Sequence, residues 1–109
     1  MPRYDSLHGT LPMLVLKILA RRGPLHGYAI TTYVEGMSSD VLRVEEGSLY
    51  PALHRMEESG WVKARWSVTE RKRRARLYEI TPRGRRQLEA EEVRWRAVSS
   101  AVGHILKHA

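Results

Sequence analysis

The hydrophobic period of this chain changes at Gly60, and that change constrains the fold more than any other feature. Before it, apolar residues recur at helical spacing: Leu49, Leu53 and Met56 fall at i, i+4 and i+7, one stripe of a helix over residues 47–59. After it, they alternate. Trp61, Val62, Ala64, Trp66 and Val68 interleave with Lys63, Arg65 and Ser67, the pattern of a strand with one wet face. Thr69-Glu70-Arg71-Lys72-Arg73 supplies a turn, and Arg74 to Thr81 returns as a second strand, closing a hairpin. Thr81-Pro82 then opens a final helix over residues 82–107, with Thr81 as N-cap and Pro82 where a missing N–H costs nothing.

Upstream, Leu11, Leu14, Leu16, Ile18 and Leu19 are dense enough for a buried helix over residues 10–22, with Thr10 as N-cap and Pro12 in its first turn. Arg21 and Arg22 suit the negative end of its dipole, and Gly23-Pro24 stops it. A shorter helix follows over residues 26–37, offering Tyr28, Ile30, Tyr33, Val34 and Met37 for packing, then a connector over 38–46 with some extended character. In the third helix Pro51 belongs in the first turn, which sets the start near Gly47 or Ser48. The fold class is therefore mainly α with a small β-hairpin. Residues 1–81 read as a winged helix-turn-helix unit with the hairpin as wing, and residues 82–109 as a long C-terminal dimerisation helix.

Charge then points to a partner. Residues 63–86 hold ten Lys and Arg against two acids, Glu70 and Glu79, while the whole chain of 109 residues is +7. Charge packed into one segment makes a local field that attracts polyanions, of which nucleic acid is the commonest. There is no cysteine, hence no disulfide or thiolate metal site, which fits a reducing compartment. No apolar run suggests a signal peptide or a membrane span, so a soluble cytoplasmic protein is expected. His104 and His108 stand at i, i+4 but lack a third ligand, and no acid/base pair or nucleophile constellation forms. No metal, cofactor or enzymatic activity is expected.

The strings Gly9-Thr-Leu-Pro-Met-Leu-Val-Leu16, Gly23-Pro-Leu-His-Gly-Tyr28, Glu45-Glu-Gly-Ser-Leu-Tyr-Pro-Ala-Leu-His-Arg-Met-Glu57, Gly60-Trp61, Arg73-Arg-Ala-Arg-Leu-Tyr78 and Thr81-Pro-Arg-Gly84 together resemble the PadR-type transcriptional regulators. The resemblance runs over about residues 6–98 and is closest to the small subgroup with a single C-terminal helix. It implies a homodimeric DNA-binding repressor, acting on a palindromic operator and dimerising through its last helix. Repression comes only with the resemblance.

The physical reading of the site stands beside it. An α-helix fits the major groove of duplex DNA, and the third helix shows Ser48, Tyr50, Pro51, His54 and Arg55 on its polar face. Ser48 and Tyr50 can donate to phosphate, Pro51 can touch a thymine methyl, and His54 or Arg55 can reach bases or backbone. Two alternatives stay open: Tyr50 packing on the second helix, and Arg55 pairing within its helix, with Glu58 or with the next turn. Arg71, Lys72, Arg73 and Arg74 form a wing tip for the phosphate backbone or the minor groove, with Arg76 either joining them or simply solvated. Gly27 and Tyr28 place N–H groups at a helix N-terminus, a phosphate seat, where Gly27 also suits tight helix packing. Glu45 and Glu46 suit the positive end of the third helix's dipole.

Along the last helix Leu88, Trp95, Val98, Val102 and Ile105 repeat at spacings of 7, 3, 4 and 3, an a/d seam for self-association with Glu91 in a polar slot. The resemblance also implies a flat aromatic effector near this helix, with Trp95 as stacking platform. Filling the dimer core is the competing and favoured use of Trp95. A winged-helix module that binds protein and has only non-specific affinity for nucleic acid is the alternative function, with RNA binding a third; the major groove of A-form RNA is too narrow for the third helix.

Overall fold

The computed structural model describes residues 9–109. Residues 6–8, where the family resemblance begins, lie outside the described residues. In chain order the elements are α1 (Leu11–Arg22), β1 (Leu25–His26), α2 (Gly27–Met37), α3 (Glu46–Glu58), β2 (Val62–Val68), β3 (Arg74–Ile80) and α4 (Pro82–His108).

Helix α1 is the centre of the core. Val15, Leu16 and Leu19 are fully buried, as are Leu49, Leu53 and Met56 of α3 and Ile30 of α2. Each such aliphatic contributes about 2 kcal/mol by leaving water, which is why the apolar stripes decide the packing. Thr10 precedes α1 but does not cap it with its side chain. A capping hydroxyl needs an extended backbone to reach back over the first turn, whereas Thr10 is helical at φ −109, ψ −18. Helix α3 starts at Glu46, earlier than expected, so Pro51 falls in the second turn instead of the first. Its absent N–H leaves the Gly47 carbonyl without the usual helical donor. Both residues are exposed, so water can take that place.

The expected hairpin is part of a three-stranded antiparallel sheet of order β1-β3-β2. β1 pairs Leu25 with Tyr78 and His26 with Leu77, and the His26 Nδ1–H donates to the Arg76 carbonyl at 3.1 Å. Two residues are too few to show a period of two, so alternation could not reveal this strand. β2 and β3 run in register from Val62 opposite Ile80 to Val68 opposite Arg74. The turn between them closes through the Thr69 N–H on the Arg73 carbonyl at 2.8 Å and the Lys72 N–H on the Thr69 carbonyl at 2.9 Å. Lys72 takes the left-handed conformation, φ 58, that this short loop requires. The dry face expected along Trp61–Val68 holds for Val62 and Ala64, then ends. Trp66 and Val68 are exposed and stand outside the core cluster.

α4 is seated by its first turns. The Thr81 hydroxyl accepts from the Gly84 N–H at 3.0 Å and donates to the Gly60 carbonyl at 2.6 Å. Gly84 lies against the Trp61 carbonyl so closely that no side chain fits there. Further along, Lys17 of α1 meets Glu92 at 2.8 Å. Hydrogen bonding to Lys17 comes first among the influences that lower the Glu92 pKa below the ordinary glutamate value. From Val93 to the end of α4 every residue is exposed.

Candidate nucleic-acid interface

The outward side of α3 carries Ser48, Tyr50, Pro51, His54 and Arg55, all exposed. They are outward because Leu49, Ala52, Leu53 and Met56 take the inward stripe. Glu45 occupies the N-cap position and Glu46 the first turn, where negative charge favours the helix dipole. Glu45 also pairs with Arg43 at 3.0 Å. His54 stands 3.6 Å from Glu58, so that carboxylate faces His54, and Arg55 pairs with no acid among the described residues.

The two separate clusters expected on α2 and α3 meet at one point. A Cβ on Gly27 would lie 2.8 Å from both Cε1 and the hydroxyl of Tyr50, so the phenol ring rests on the start of α2 where only glycine leaves room. Tyr50 therefore packs and remains 44% exposed. Burial, followed by the Glu46 charge, raises its pKa above the ordinary tyrosine value, and the hydroxyl, protonated at neutral pH as in any tyrosine, is able to donate. The N-cap residue of α2, His26, makes no side-chain bond to the first-turn N–H groups. The Tyr50 hydroxyl and the positive end of α2 thus adjoin one another. Tyr28 lies beside them, half exposed, its ring stacked on His26 with centroids 6.1 Å apart.

On the wing, Arg71, Lys72 and Arg73 lie in the turn and Arg74 begins β3, all exposed. None of the four pairs with a carboxylate among the described residues. Arg76 is neither a wing-tip cation nor simply solvated: its Nη2 donates to Glu57 of α3 at 2.7 Å. Glu57 completes the stripe Tyr50, His54, Glu57 at spacings of 4 and 3, a pattern that could have marked it in the sequence. Leu88, expected on the self-association seam, is 7% exposed and packs in the chain's own core. The first turns of α4 lie on the body, so only Trp95, Val98, Val102 and Ile105 of that seam face outward. Val93 and Leu106 are exposed as well. A groove of about 240 Å³ between the start of α1 and α4 is lined by Met13, Glu91, Trp95 and Val98 among others.

No group of three metal-ligating side chains occurs among the described residues, and no helix there is long and apolar enough to cross a membrane. The family described as "Transcriptional regulator PadR-like family" matches residues 15–90. The chain belongs to this family. PadR-like proteins are transcriptional regulators and not enzymes. One relative, an uncharacterised 37.1 kDa protein in transposon TN4556 of Streptomyces fradiae, is 47% identical over 79 residues, covering 72% of this PadR-like chain and 21% of its own length. A second, the negative transcriptional regulator PadR of Bacillus subtilis, is 25% identical over 84 residues, 77% of this chain and 46% of that one. The chain thus spans less than half the length of either curated relative. The crystal structure of a PadR family transcriptional regulator from Eggerthella lenta superposes with a TM-score of 0.78 at 32% identity, covering 93% of this chain and 85% of that one. The four helices, the small antiparallel sheet and the long last helix are the winged-helix architecture of these PadR-like structures.

Proposed function

We propose that the chain is a sequence-specific DNA-binding repressor that grips a palindromic operator as a homodimer. Helix α3 enters the major groove with Ser48, Tyr50, Pro51, His54 and Arg55 toward bases and phosphates. The N-terminus of α2, at Gly27 and Tyr28, receives a backbone phosphate together with the Tyr50 hydroxyl. Arg71, Lys72, Arg73 and Arg74 follow the backbone on the wing and supply affinity more than sequence information.

The observation that carries this reading is the seating of Tyr50 on Gly27, beside a helix N-terminus and on the same side as the polar face of α3. Repression is favoured by the Bacillus subtilis relative, a negative transcriptional regulator. Self-association is favoured by the outward seam of Trp95, Val98, Val102 and Ile105, which is costly to leave in water. We take a second copy to cover Trp95; a flat aromatic effector in the groove beside it is the competing use.

Selection of bound duplexes from a random DNA pool, at near-physiological salt, tests the whole. The expected product is a palindrome with half-sites about one helical turn apart. Recovery of no motif, with binding that disappears as salt rises, would leave only non-specific attraction to the wing and favour a protein-binding module.

A further inference from the structure

We infer that Trp66 is an additional DNA-contacting residue of the wing, its indole seated on a deoxyribose whose flanking phosphate meets the neighbouring Arg74 guanidinium. The inference rests on the DNA-binding reading above and adds a subsite to it.

Along β2 the side chains of Val62, Ala64, Trp66 and Val68 share one face, opposite Ile80, Tyr78, Arg76 and Arg74 in that order. The inner two pairs belong to the core or pack against it; the outer two do not. Trp66 is 60% exposed and Val68 63%, although both follow the alternation of a buried face. The apolar surface left in water is surrounded by charge. The Arg74 guanidinium lies 5.1 Å from the indole centroid and that of Arg76 5.8 Å. Both distances are within cation–π range.

Arg76 is itself fixed by Glu57, on the stripe that also carries Tyr50 and His54. The indole is thereby linked, through Arg76 and Glu57, to the outward side of the recognition helix. An apolar plate framed by cations complements a nucleic-acid backbone, in which an apolar sugar carbon face lies between two phosphates. Its π-face is tolerant of sequence, as backbone recognition requires.

The test uses the full chain and a mixed-sequence duplex three helical turns long. Duplex should change the tryptophan emission of the native chain as it saturates the protein, and that DNA-dependent change should be lost in Trp66→Phe, which leaves the other two of the three indoles in place. In the otherwise native chain, Trp66→Ala should lower affinity about tenfold, which is about 1.4 kcal/mol, with the slope of log affinity against log salt unchanged. Trp66→Phe should recover most of the loss.

A slope flattened by about 1 or more, with Trp66 emission indifferent to DNA, would overturn the inference and make the indole only a prop for Arg74 and Arg76. Wild-type affinity in Trp66→Ala would also overturn it. If the native chain binds no duplex at all, the DNA-binding reading falls and this subsite with it. Binding with an indifferent Trp66 removes the subsite alone.

Discussion

At Tyr50 one side chain serves packing with its ring and leaves its hydroxyl for a partner. The ring covers Gly27 and burial raises the phenol's pKa, while the hydroxyl carries its proton at neutral pH as any tyrosine does. Tyr50→Phe keeps the ring and removes only the donor. It should leave the melting temperature unchanged and weaken the specific complex by about 1 kcal/mol, the ordinary value of one hydrogen bond, as read by fluorescence anisotropy with the selected operator. An unchanged complex would confine Tyr50 to packing. The residue's place on the polar face of α3 was legible from helical spacing. Its contact with Gly27 was not, because the two lie on different helices with no shared period.

The wing and the last helix are where whole elements decide the outcome. In the wing, Arg73 stands in the turn without an acidic partner among the described residues. Arg73→Ala should lower affinity roughly evenly across sequences and flatten the salt slope by about 1, the mark of one lost phosphate contact. An altered sequence preference would instead make the wing a reader of bases. At the root of α4, any Cβ on Gly84 would run into the Trp61 carbonyl. Backbone cannot move aside as a flexible side chain can. Gly84→Ala should cost about 3 kcal/mol, the upper range of overpacking, visible as a lowered denaturant midpoint. The two-residue β1 escaped the sequence reading, as did the exposure of Trp66. Alternation tells which residues share a face of a strand, not how far the body beneath extends.

For the molecule as a whole, assembly turns on the exposed length of α4. Trp95 is 49% exposed and Ile105 61%, with Val98 and Val102 between them on the same seam. Trp95→Ala should shift the protein toward monomer in analytical ultracentrifugation, with DNA affinity falling in step because each half-site then binds alone. A dimer of unchanged stability would move the interface elsewhere. Leu88, on the same heptad stripe, lies where α4 still rests on the body. A heptad pattern gives the stripe but not the point at which the stripe leaves its own core.

What this sequence determined by itself was local: the helix stripes, the change of period at Gly60, the Thr81 cap, and the concentration of cations on the wing. Each follows from spacing or composition within one segment. Only the tertiary structure decided the contacts between segments. It placed Tyr50 on Gly27, tied Arg76 to Glu57, seated Gly84 against Trp61, added β1 to the sheet, and divided the stripe of α4 between core and solvent. These depend on distances between residues far apart in the chain, which packing sets once the stripes have met.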